Sequence, residues 1–351
     1  MFPYWLIFTL CAAGAVQYRT DPRRATQGGP ILVIIALMIL LMIGLRFEVG
    51  GDWFTYVFLL DDYRFADLGE ALAKGDPGYS FLNWIAVRLG AGIWFVNLIC
   101  AAFFTWGLAR FVRQQPNPWL AICVAIPYLV IVVAMGYTRQ GVAIGLMMAG
   151  MSEFRRGHSM LRFGIYIAAA ALFHKTAIVI LPIVAFAATQ NRWATLGIGG
   201  ALAAILYYLL LQADLDTLMT NYVEADYDAQ GAAIRVAMNV LPAILFLLFQ
   251  RRFAAGEFDR LLWRNVSLAA LGSLFFLLVL EASVVVDRLA LYLIPLQLVV
   301  FSRLPYAFQR HGKPNGLLTL AVIAYSAAVQ FVWLTAATHA SFWVPYKIYF
   351  L

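Results

Sequence analysis

Residues 30–56 read PILVIIALMILLMIGLRFEVGGDWFTY. The stretch 30–45 is apolar almost throughout. That suits a helix crossing a bilayer, where each backbone polar group must be satisfied within its own segment. Directly after it come an arginine, two acids, a double glycine and several aromatics. A helix that only had to sit in lipid needs none of that chemistry at its end. The stretch therefore indicates two things: a membrane-spanning helical fold, and polar work at the membrane edge.

The rest of the chain repeats the pattern. Of 351 residues 63% are hydrophobic and 12% charged, whereas soluble domains carry about 25% charge. Apolar runs fall near 2–18, 30–46, 79–112, 118–136, 138–153, 160–174, 176–190, 193–212, 233–250, 261–281, 286–303 and 315–337. They are continuous rather than alternating, which excludes a β-barrel. The expectation is an all-α polytopic protein of about twelve spans, a single integral membrane domain over 1–351. The run 79–112 is too long for one span and is interrupted at Gly90-Ala91-Gly92, predicting a short or re-entrant helix before one span. The pair 160–174 and 176–190 is short, so tilted or broken helices are expected there. The N-terminus has no basic residue before its apolar run and arginines after it, so it reads as a retained span. Cys11, Cys100 and Cys123 lie inside apolar runs as small core residues.

Alternating the spans from an outward N-terminus places sixteen of the 25 basic residues and four of the 18 acids on the inner side, the positive-inside pattern. The formal charge of +7 then reflects topology, and no basic tract interleaved with aromatics suggests nucleic acid. Two outer loops are substantial: 47–78, with an amphipathic stretch near 65–73, and the acidic 213–232. The inner loops are short, with no P-loop or dinucleotide fingerprint, so chemistry is expected outside, away from ATP.

The charges at the outer ends of spans are Arg46, Glu48, Asp52, Arg139, His174, Lys175, Arg235, Glu281, Asp287 and Arg288. Ionisable groups at such depth usually face a cavity or a partner. Gly50-Gly51 lets the chain turn so that Asp52 returns toward Arg46, as a general base, as a group orienting one, or as one half of a salt bridge closing the helix. Arg139 and Gln140 open a span. A guanidinium fork there suits phosphate and Gln140 suits sugar hydroxyls; the plainer reading is an arginine reaching to headgroups. His174 is a proton carrier or a helix–helix hydrogen bond. Asp287 and Arg288 pair with each other, or Arg288 makes a second phosphate contact. Arg46, Arg139, Lys175 and Arg288 converging on one outer vestibule would fit an anionic, phosphate-bearing, lipid-linked substrate. The C-terminal WVPYKIYF reads as an interfacial anchor that also caps the cavity. No histidine or cysteine spacing suits a metal, and a carboxylate-bound divalent ion has no support in the sequence.

The stretches RFEVGGDWFTY at 46–56, DPGYSFLNWI at 76–85, YTRQGVAIGL at 137–146, LFHKTAIVILP at 172–182 and DRLALYLIPLQ at 287–297, in that order, resemble the EpsG family, akin to Wzy-type polysaccharide polymerases. Gly51 departs from the family, where a threonine commonly precedes the aspartate. The resemblance implies a GT-C-like membrane glycosyltransferase of the bacterial inner membrane. Its activity would be polymerising undecaprenyl-diphosphate-linked oligosaccharide repeats of an exopolysaccharide, capsule or O-antigen on the periplasmic face, without a nucleotide-sugar cofactor. By that resemblance Asp52 is the catalytic base, with His174 its rival. From the charges themselves, Arg139 and Arg288 are expected to hold the diphosphate, assisted by Arg46 and Lys175. Gln140, Trp53, Tyr79, Tyr222 and Asp287 contact sugar. A flippase and a chain-length regulator would be pathway partners. Two other classes suit buried charge: a transporter or flippase for an anionic lipid or sugar, and a membrane acyltransferase using His174.

Overall fold

A computed structural model describes residues 1–20, 29–157, 159–188, 193, 197, 231–279 and 283–350. Among these the regular structure is helical, and the backbone pairings outside helices are isolated bridges, Arg46 with Ile348 and Arg310 with Lys313. Four helices are long and apolar enough to cross a membrane: Ile93–Val112, Glu257–Val279, Val285–Ala307 and Gly316–Ala336. Five shorter apolar helices, Gly29–Gly44, Pro118–Ala134, Met160–Ala171, Lys175–Ala188 and Ala232–Leu248, accompany them. This is the helical membrane architecture expected; the twelve-span count is not reached by these helices, and the run 193–212 lies largely outside the described residues.

Contacts divide the chain into two compact units, Met1–Ala177 with Phe301–Leu351, and Ile178–Val300. The first holds α1 (Phe2–Thr20), α2 (Gly29–Gly44), α3 (Trp53–Asp61), α4 (Leu68–Ala73), α5 (Pro77–Arg88), α6 (Ile93–Val112), α7 (Pro118–Ala125), α8 (Thr138–Gly157) and α9 (Met160–Ala171). The run 79–112 does divide at Gly90, which takes φ +65 between α5 and α6. The amphipathic stretch becomes α4, started by a capping box in which Asp67 accepts from the Glu70 N–H and Glu70 answers to the Asp67 N–H. After α7 the chain widens into a π-helix over Ile126–Ala134, where Pro127 cannot donate to the ladder. The Ile131 carbonyl within it accepts from the Trp343 indole at 2.7 Å.

Helices α6 and α8 pack closely because glycines face across them. A Cβ on Gly107 would lie 1.8 Å from the Gly145 carbonyl oxygen, and one on Gly145 would lie 2.5 Å from Phe104 Cα. Lipid supplies no hydrophobic drive between helices, so backbone approach at small residues is what holds such a pair. This contact fixes α8, whose first turn carries Arg139 and Gln140.

In the second unit, α10 (Ile180–Ala188) precedes the hairpin of α11 (Ala232–Leu248), the short α12 (Gln250–Phe253) and α13 (Glu257–Val279), followed by α14 (Ser283–Ala290) and α15 (Pro295–Ala307), whose last residues re-enter the first unit. A polar ladder ties α11 to the helices after it. Arg235 grips Asp287 bidentately at 2.8 and 2.9 Å, Asn239 donates to the Ala290 carbonyl at 3.0 Å, and Gln297 donates to Asn239 at 2.8 Å. In the first unit, α16 (Gly316–Ala336) packs on α7 and the π-helix.

Candidate active site

The turn after α2 is built around Arg46. Its guanidinium donates to the Ile43 carbonyl at 2.6 Å, the Val49 carbonyl at 3.1 Å, Asn97 Oδ1 at 3.2 Å and Thr138 Oγ1 at 2.8 Å. The residue is 1% exposed and stands over the Trp53 ring at 5.8 Å. The double glycine does turn the chain: Gly50 sits at φ +109, and a Cβ there would meet the Met135 carbonyl oxygen at 2.6 Å, so only glycine fits. The group answering Arg46 across the turn is the Val49 carbonyl, while Asp52 stands half-buried at the N-cap of α3 without a side-chain cap bond. The C-terminal segment closes over the turn, with the Phe47 N–H on the Lys347 carbonyl, the Tyr349 N–H on the Leu45 carbonyl and the Lys347 ammonium on Glu48.

Arg139 is placed differently. Its Nη1 donates to Asp76 Oδ2 at 2.9 Å, with 39% of the arginine side chain exposed and only 7% of the aspartate's. Its guanidinium lies 5.9 Å from the centre of the Tyr79 ring and takes a side-chain hydrogen bond with Tyr56. The Tyr56 and Tyr79 rings meet at 5.6 Å. Asp76 occupies the N-cap of α5 but makes no side-chain bond to that helix; its carboxylate serves Arg139 and the Lys175 backbone N–H instead. Burial pushes the Asp76 carboxyl above its ordinary value, against the opposing charges of Arg139 and Lys175. The Gly78 N–H donates to the Leu172 carbonyl at 2.7 Å, which brings the turn bearing half-buried His174 and exposed Lys175 onto the start of α5.

Three of the five sequence stretches, with the first part of a fourth (172–177), thus meet in one unit. Arg46 reaches Thr138, Asp76 reaches Arg139 and Lys175, and Gly78 reaches Leu172. The fifth lies in the other unit, where Arg288 is half-buried and Asp287 pairs with Arg235 rather than with its chain neighbour Arg288. Four residues expected to contact substrate are buried. Arg46 is 1% exposed and four of its five N–H donors go to protein oxygens, so it offers little to a diphosphate. Trp53 and Tyr79 are 4% and 3% exposed, so their rings floor the two arginines rather than offering a stacking face. Gln140 is likewise buried. Tyr222, Glu281 and nearly all of the 213–232 loop lie outside the described residues. Among the described residues no group of three or more His, Cys, Asp or Glu side chains is placed to hold a metal ion.

Sequence reasoning missed Asp76, Tyr56, Asn97 and Thr138. For Asp76 the one available signal was its place at the head of the 76–85 stretch. Compared with known proteins, the chain matches the model of the EpsG family over residues 31–348. No curated protein and no solved structure matches it.

Proposed function

This chain belongs to the EpsG family, a Wzy-like polymerase family, and from that premise we propose that it joins oligosaccharide repeats carried on undecaprenyl diphosphate at the periplasmic face. Membership makes it a polysaccharide polymerase-like membrane protein. The donor and the face are our reading. The observation that carries it is Arg139: a guanidinium fixed from one side by Asp76 and the tyrosine floor, yet open on the other.

In the reaction an acceptor hydroxyl attacks the anomeric carbon of the growing chain. The bond from that carbon to the diphosphate oxygen breaks, the electron pair leaves with polyprenyl diphosphate, and the acceptor proton passes to a base. Diphosphate is already a good leaving group, so catalysis needs mainly orientation and stabilisation of departing negative charge. Arg139 supplies the countercharge, with exposed Lys175 on the adjoining turn as its helper. Asp52 is the proposed base and His174 the rival; Arg46 positions Thr138 and so the head of α8.

Arg139→Ala in cells should leave inserted protein and collapse the lipid-linked glycan ladder to a single repeat. Full-length polymer from that variant refutes the proposal. A transporter would instead lower all products without shortening them. Asp52→Asn separates the two bases, since unchanged turnover transfers the role to His174.

A further inference from the structure

The turn of the hairpin between α11 and α13 carries a concentration of positive charge. Arg251 and Arg252 on α12, with Arg260 and Arg264 on the first turns of α13, line one open depression of about 490 Å³. That volume falls in the range of small-ligand clefts. Its acidic neighbours are Glu257 and Asp259. Glu257 stands 3.8 Å from Arg260, with 63% of the glutamate and 40% of the arginine side chain exposed, a separation and exposure at which ion pairs contribute little. Asp259 is buried and takes the Trp263 indole at 3.0 Å and the Ala255 N–H at 3.1 Å, within its own turn.

Beside the depression runs an apolar strip. Leu241, Ile244 and Leu248 are 45%, 44% and 68% exposed, and their spacing puts them on one face of α11. Arginine forks at the polar end of a helix hairpin, with bare aliphatic side chains descending from them, match an amphiphile whose head is a phosphate and whose tail is hydrocarbon. We propose that this hairpin turn is a binding site for an anionic phospholipid, with the phosphodiester held by Arg251, Arg252, Arg260 and Arg264 and one acyl chain lying along the Leu241–Ile244–Leu248 strip. The arginines supply head-group selectivity and the strip excludes a free anion as the natural occupant.

The test uses the full chain purified in a neutral detergent. Native mass spectrometry counts retained lipid after addition of phosphatidylglycerol or phosphatidylcholine, and thermal unfolding is followed with each lipid and with inorganic phosphate. Wild type should retain phosphatidylglycerol and gain thermal stability from it, but not from phosphatidylcholine or phosphate. Arg251→Gln with Arg260→Gln, two partly exposed side chains, should weaken the apparent affinity for phosphatidylglycerol about 30-fold. Equal uptake of both lipids, equal stabilisation by inorganic phosphate, or unchanged affinity in the double variant overturns the site. Should that variant fail to insert, wild type carries the test. Raising salt from about 0.1 to 1 M shortens the screening length from about 10 to 3 Å and should release the lipid, and retention indifferent to salt overturns the site equally.

Discussion

Replacing Asp76 by asparagine probes the site at its least obvious point. The substitution keeps shape and removes the charge that faces Arg139 at 2.9 Å. Fully buried pairs cost about 3–5 kcal/mol when one partner is lost; exposed pairs contribute about 0–1 kcal/mol. This pair is mixed, with a buried carboxylate and an arginine whose side chain is 39% exposed, so water can take up the orphaned guanidinium. The folding loss should therefore stay near about 1 kcal/mol. The catalytic loss should be larger. Arg139 keeps the Tyr79 ring and Tyr56 but loses the charge-assisted bond that aims it, worth about 1.5–3 kcal/mol. Losing about 2 kcal/mol of aiming lowers polymerisation about 30-fold, since each 1.4 kcal/mol is about tenfold. The assay is repeat-unit polymerisation by purified protein in liposomes, with thermal unfolding measured on the same samples. An Asp76→Asn protein that polymerises at the wild-type rate refutes the view that Asp76 positions Arg139. A large fall in rate that tracks an equally large fall in stability refutes it too, because the pair would then be merely structural.

Arg46→Met should cost about 1–3 kcal/mol of stability, because it leaves two carbonyls, Asn97 and Thr138 facing a side chain that cannot donate; a gain in stability by thermal unfolding in detergent would contradict that. Gln330→Met should stabilise by about 1–3 kcal/mol, since the Gln330 amide is 0% exposed and neither of its polar atoms has a hydrogen-bond partner among the described residues, and a lowered melting temperature would mean the amide has a role. The acid limb of polymerisation should lie above the ordinary carboxylate value of about 4. Burial raises the Asp76 value, so the proton stays on to higher pH and the charged partner of Arg139 exists only above it. A pH profile whose acid limb is unmoved in Asp76→Asn assigns that limb elsewhere.

How far the sequence was legible depends on the range of the interaction. The apolar helices within the described residues and the interruption at Gly90 are local properties, and they appear where local reasoning put them; the amphipathic stretch near 65–73 holds a helix at 68–73, whose capping box was not read. The tight turn at Gly50 was also readable, because a double glycine after a span has few other uses. Charge pairing was not readable. Asp76 before Pro77 looks like an ordinary helix N-cap, and its true partner lies 63 residues on. Arg235 and Asp287 are 52 residues apart, whereas adjacency makes Arg288 the natural guess. Arg46 looks like a ligand-binding cation because its partners are carbonyls and neutral side chains, groups that charge patterns do not reveal. Span lengths were blurred for a related reason: a π-helix at Ile126–Ala134 and a tight turn of helix at Lys175–Val179 change the rise per residue inside runs that look uniformly apolar.

The two arginines of the first unit show how one residue type divides its work by burial. Arg46 is buried and spends four of its five donors on protein, so any effect it has on the reaction passes through what it holds. It holds the Thr138 hydroxyl, at the first residue of α8, next to Arg139. The same helix is pinned further along by the glycine contact of Gly145 with α6, and α6 carries Asn97, the other side-chain partner of Arg46. Arg46, Asn97 and Thr138 therefore close a ring that fixes the head of α8 against α6, while Asp76 and the tyrosines fix the direction of the next side chain. A cation that must meet a departing diphosphate needs this division. Its own charge has to stay partly open, so rigidity must come from a buried neighbour that no ligand touches.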